Sequence, residues 1–207
     1  EYYEKLAGKL DDKKDASLLT RVYIKIGKIQ QTIGQWPESE KSFNQAFILA
    51  GQSENKVLSG RVLNNIGRVL TLKGEYPEAI EQLQVAAGLF EGAKDQIGIA
   101  KVYGNIGDLR FRQGNYEEAK AYFEQSIAIN HRLDSTSGMA RIVSNLGLTH
   151  MNRGNYDDGI SVQLKQLEIS REKGDKPGMA VLYTNTGIVY LEKGDFDAAL
   201  EIFEKGL

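Results

Sequence analysis

The sequence repeats itself every forty residues, and that period constrains the fold more than any other feature of the chain. One glycine column holds Gly27, Gly67, Gly107, Gly147 and Gly187, and a second, seven residues on, holds Gly34, Gly74, Gly114, Gly154 and Gly194. Two residues after the second column an aromatic follows every time, as Trp36, Tyr76, Tyr116, Tyr156 and Phe196. Five registers pass without an insertion. A unit this short cannot bury its apolar face alone, so fixed-period self-similarity predicts a stack of repeats sharing one core.

Each repeat reads as two helices. The first is expected over 18–33 and returns at 58–73, 98–113, 138–153 and 178–193. The second glycine column supplies a residue that tolerates positive φ at a helix C-terminus. Pro37 and Pro77 fall where the second helix begins, the position at which a missing N–H does least harm, and Pro177 is expected just before the fifth first helix. A turn of two or three residues makes the paired helices antiparallel neighbours. Alternating β-branched patterns are nearly absent. The expected fold is therefore all-α, an α-solenoid of antiparallel helix pairs.

These residues carry a resemblance to a known family. The tetratricopeptide repeat (TPR) pattern is filled here by Tyr103, Ile106-Gly107, Gly114, Tyr116, Ala119 and Phe123. The forty-residue period exceeds the TPR standard of about 34. Units of this length resemble those of Pins/LGN-type adaptors and kinesin light chains, and "LEISREKGDKPG" (167–178) is close to LGN-type wording. Similar units also serve as sensor segments in bacterial signalling proteins. The resemblance implies a right-handed TPR superhelix, with first helices lining a concave groove that binds linear peptides.

Some slots depart from the pattern. Ser39 and Gly159 replace the small alanine, and Gln163 and Gln166 replace the phenylalanine and alanine of the fourth second helix, which is expected to pack through Leu164 and Leu167 instead. Arg110 and His150 occupy a slot usually held by tyrosine. Residues 1–10 align with 41–50, so a single TPR domain is expected over 1–207: a half repeat at 1–17, then repeats at 18–57, 58–97, 98–137, 138–177 and 178–207. Without polar capping helices at either end, the chain reads as a fragment of a longer array.

Charge is segregated by helix type. The formal net charge is −2, yet the five first-helix windows hold twelve Lys/Arg against two Asp/Glu, leaving fourteen against twenty-six elsewhere. At about 100° per residue, one arc of each first helix gathers the polar side chains. One column of that arc holds Arg21, Arg61, Lys101 and Arg141, broken by Val181. A second holds Lys25, Asn65, Asn105, Asn145 and Asn185, and Lys28, Arg68 and Asp108 follow. Asparagine is a mediocre helix former, so four of them in helices require a reason. Under a structural reading they bond a neighbouring helix and fix the spacing. Under a functional one their amides grip the backbone of an extended peptide, an amide offering donor and acceptor together. Arg21, Lys25, Arg61, Arg68, Lys101 and Arg141 would then read acidic groups, where arginine offers a two-pronged fork.

Other chemistries find little in the sequence. Cysteine is absent, which excludes disulfides and thiolate chemistry and fits a reducing, cytoplasmic setting. His131 and His150 have no metal-ligand spacing, and no Gly-rich phosphate loop occurs. Glu117-Glu118 and Asp157-Asp158 begin second helices, where they complement the helix dipole. No apolar run approaches the ~20 residues of a membrane span. Phe111 could stack a base, but the acidic remainder of the surface argues against nucleic acid. The expected function is a non-catalytic, cofactor-free scaffold holding an acid-rich peptide in its groove. Two alternatives stay open: a sensory module of a larger signalling protein, and end-to-end self-association through exposed terminal repeats.

Overall fold

A computed structural model describes residues 2–8, 10–11, 14–135 and 138–207. Part of the expected half repeat (Glu1, Lys9, Asp12, Lys13) and Thr136-Ser137 at the end of the third repeat lie outside the described residues. The described chain is all-α, in the order α1 (Tyr2–Ala7), α2 (Ala16–Thr32), α3 (Trp36–Gln52), α4 (Lys56–Lys73), α5 (Tyr76–Gly92), α6 (Gln96–Arg112), α7 (Tyr116–Arg132), α8 (Met139–Asn152), α9 (Tyr156–Glu172), α10 (Lys176–Lys193) and α11 (Phe196–Lys205). First helices α2, α4, α6 and α10 begin two residues earlier than the sequence suggests, and α8 begins one residue later. Pro177 lies inside the first turn of α10 rather than before it, since its fixed φ suits that turn.

The chain forms two compact units, residues 1–105 and 106–207. In the first, α2 packs on α3, α4 on α5, and α4 also meets α3 and α2. Its core gathers Ile24, Phe43, Ala46, Ala50, Leu58, Val62 and Val69. In the second, α8 pairs with α9 and α10 with α11, while α10 also touches α8 and α9. Here Phe123, Ile142 and Leu146 form one cluster and Met139, Val143, Leu167, Leu182 and Tyr183 another.

Both glycine columns have a physical cause. A Cβ at Gly107 would lie 2.6 Å from Phe123 Cε1, and one at Gly27 2.8 Å from Phe43 Cε1. The second helix thus seats its aromatic ring on the bare backbone of the first. The turn glycines Gly34, Gly74, Gly114, Gly154 and Gly194 all adopt positive φ, between 77° and 87°. The turn after the second helix makes the same demand, met by Glu54, Lys94, Asp134 and Gly174.

The fourth second helix departs from expectation. Gln163 is fully buried in the phenylalanine slot and Gln166 is buried beside it, while Leu167 is buried and Leu164 only half-buried. Gln163 keeps its slot because Thr186 Oγ1 donates to its Oε1 at 2.8 Å. His150 is buried in the tyrosine slot, its Nδ1 3.9 Å from an Asp158 oxygen, and Arg110 is half-buried and paired with Glu118 at 2.9 Å.

Candidate functional site

Helix starts account for part of the segregation of charge. Second helices carry acids in their first turn, namely Glu38, Glu78, Glu117-Glu118, Asp157-Asp158 and Asp197. First helices carry none there. The α6 and α10 starts are instead capped by the carboxylates of Asp95 and Asp175, whereas α4 is capped by the neutral Asn55 side chain, which leaves its N-terminal dipole favourable to anions.

In the first unit this arrangement surrounds a cavity of about 350 Å³. Arg21, Lys25 and Lys28 reach it from α2, Arg61 from α4 and Lys101 from α6. Ile24, Leu58, Phe90 and Ile97 supply apolar wall, and Asn64 and Asn65 also line it. One carboxylate is present, Asp95, whose Oδ1 accepts the Gly98 N–H at 2.9 Å and caps α6. Among the described residues none of the five cations forms an ion pair. Burial holds the Lys28 ammonium below its ordinary pKa, and the charges of Arg68, Lys101, Lys25 and Arg61 push it down further. Five cations facing one capping carboxylate repel one another, so the cavity favours an incoming anion.

The asparagine column is only partly open. Asn65 is buried and its Nδ2 donates to Arg61 O at 2.6 Å, within its own helix. Asn105 is buried as well and donates to Asn64 Oδ1 at 2.9 Å, tying α6 to α4. Asn145 is half-buried and reaches Asp108 Oδ1 at 3.5 Å, and Asn185 is half-buried on α10. Arg68 donates to Gln31 Oε1 on α2. These contacts give three sequence-selected residues, Arg68, Asn105 and Asn145, helix-linking roles whatever else they bind. The column of Arg21, Arg61, Lys101, Arg141 and Val181 is exposed throughout.

The second unit balances its charge internally. Asp108 pairs with Arg112 at 3.2 Å. Phe111 is engaged with the Tyr116 ring, centroids 5.5 Å apart. Among the described residues no His/Cys/Asp/Glu cluster suits a metal, and no helix is long and apolar enough to cross a membrane.

The walls of the cavity escaped the sequence reading. Asn64, which also lines it, was not among the residues selected. Phe90, Asp95 and Ile97 belong to the end of α5 and the start of α6, where no column of the first helix marks them.

A scaffold of stacked helix pairs with an uncompensated cationic recess is the class of protein that these features define. The tetratricopeptide repeat model matches residues 18–92, 59–132 and 138–207, and a second model of the same description matches 105–170. The chain belongs to the tetratricopeptide repeat family. No curated protein matches its sequence.

Solved structures share the fold. A putative kinesin light chain from Podosopora anserina, with nearly identical TPR-like repeats, is 15% identical with a TM-score of 0.69, covering 93% of this chain and 94% of its own. A Rap protein complexed with Competence and Sporulation Factor is 13% identical with a TM-score of 0.80, covering 91% of this chain and 53% of its own. A signal transduction ATPase with a tetratricopeptide repeat sensor, from Pyrococcus horikoshii, is 17% identical with a TM-score of 0.79. That match covers 99% of this chain and 30% of the ATPase.

Proposed function

We propose that the chain is a non-catalytic scaffold that binds an extended, acid-rich peptide segment along its first-helix face. The observation that carries this reading is the recess of the first unit, where five cations line one cavity without an ion pair among the described residues. A peptide brings carboxylates to Arg21, Lys25, Arg61 and Lys101, and Asn65 Oδ1 offers an acceptor to its backbone. In the second unit Arg141 and Asn185 are the corresponding contacts, and Asn145 and Arg68 contribute once their present partners yield.

The test is titration of a pooled library of acidic peptides, at low and moderate salt, into the wild type and Lys25→Gln/Arg61→Gln. The reading expects salt-sensitive binding that the variant loses while its helical circular dichroism is unchanged. Binding that persists in the variant, or no binding at all, removes the recess as a peptide site.

A sensory module of a larger protein is the second reading, favoured by the likeness to the tetratricopeptide repeat sensor of the archaeal ATPase. It requires that the peptide also change the exchange protection of the first helices. End-to-end association is the third partner class, and sedimentation across a range of concentrations tests it directly.

A further inference from the structure

The recess of the first unit carries more specific chemistry than a preference for acidic peptides. Its volume of about 350 Å³ lies at the small end of the range for ligand pockets, about 300–1,000 Å³, so it admits one or two side chains rather than a run of them. A single glutamate or aspartate would bring one negative charge to five cations. The one resident carboxylate, Asp95, is committed to capping α6. Arg21 and Arg61 present planar forks that match tetrahedral oxyanions as well as carboxylates, and Lys25, Lys28 and Lys101 add compact point charges. The first turn of α4, capped by the neutral Asn55 side chain and free of acids, adds its dipole. Ile24, Leu58, Phe90 and Ile97 offer apolar contact beside this cluster.

We propose that this recess binds a phosphoryl dianion, carried on a side chain next to an apolar residue. The inference rests on the peptide-binding reading above and narrows it to a ligand class. A phosphoryl group brings about two negative charges at neutral pH and three acceptor oxygens, enough to engage cations from α2, α4 and α6 together. The unit's charge is placed for this and the second unit's is not, because Asp108 already partners Arg112 there.

The experiment uses three capped peptides of one sequence, with phosphoserine, aspartate or serine flanked by leucines, and inorganic phosphate as a free competitor. One added charge-assisted hydrogen bond corresponds to about tenfold in affinity, so the phosphoserine peptide is expected to bind at least about tenfold tighter than the aspartate peptide. Lys28→Gln and, separately, Arg21→Gln should abolish that margin, while Lys165→Gln in the second unit should leave it intact. The margin should also shrink as pH falls through about 6, where the phosphoryl group loses its second charge. The charged groups facing the ligand are Arg21, Lys25, Lys28, Arg61, Lys101 and Asp95.

Equal binding of the aspartate and phosphoserine peptides overturns the phosphoryl assignment and leaves the acidic-peptide reading standing. A margin that survives both variants overturns the assignment to this recess. Failure of every peptide to bind overturns both readings, unless inorganic phosphate alone binds with the same dependence on Lys28 and Arg21. That last result keeps the chemistry and makes the source a free anion.

Discussion

At the scale of single residues, the two glycine columns do different work, and substitution separates them. Gly107→Ala pushes a methyl into the Phe123 ring and is expected to cost about 1–3 kcal/mol by overpacking. Gly114→Ala meets open space but forces a side chain to φ 77°, for about 1–2 kcal/mol. Urea midpoints measure both, and only the first should be relieved by Phe123→Leu. His150 gives a pH test. Burial holds its imidazolium below the ordinary pKa of 6.5, with Lys120 and Arg153 reinforcing this and Asp158 and Glu124 opposing it. The unfolded chain then binds more protons than the folded one as pH drops, so stability is fully present above about 6.5 and is lost below it. In His150→Tyr, which restores the residue usual for that slot, the melting temperature should fall less between pH 7.5 and about 5.5 than in the wild type.

At the scale of elements, most of the fold was legible, because glycine spacing and apolar periodicity report directly on turns and faces. What was not legible lies where one element's need is met by another. The left-handed residue after each second helix is glycine only at Gly174, and Glu54, Lys94 and Asp134 hide the signal. Lys94→Gly should therefore stabilise the first unit by up to about 1 kcal/mol, a gain in melting temperature that calorimetry can read. Gln163 read as a defect because its partner Thr186 is twenty-three residues away on the next first helix. Gln163→Phe leaves Thr186 without its acceptor, and Thr186→Ile buries an unpartnered Gln163 carbonyl. Each single change is expected to cost about 1–3 kcal/mol. The double variant, with the pattern residue at both positions, should cost less than the sum, and a double-mutant cycle in urea would show that coupling.

At the scale of the whole chain, the charge columns were legible as a pattern but not as a site. Sequence placed cations and asparagines on one arc, yet burial decides which are open. Asn105 is sunk and bonded to Asn64, and Asn65 has its amide N–H committed within α4, whereas Arg21, Arg61 and Lys101 stand exposed around a recess whose apolar wall comes from α2, α4, α5 and the start of α6. Net charge is a poor guide here as well. A chain of formal charge −2 is expected to capture acidic peptides faster at low salt, because the local field near α2, α4 and α6 is positive. Stopped-flow association rates should fall steeply as salt rises from about 50 to 500 mM, because screening shortens the reach of the recess's field. A rate indifferent to salt would mean that the recess does not steer the encounter.

The Gln163–Thr186 hydrogen bond has a consequence for how such a chain can change over time. Forty-residue units with interchangeable turns invite recombination, in which one copy is duplicated, lost or swapped for its neighbour without repair to the backbone. Most of the chain would survive that, since the aromatic or leucine of a second helix meets a glycine of its own repeat, as at Gly27, Gly67, Gly107 and Gly187, and travels with it. The seam between α9 and α10 would not, because a foreign copy bringing isoleucine to position 186 strands a buried amide. Shuffling is therefore free along much of the array and locked at this junction, so α9 and α10 would be inherited together.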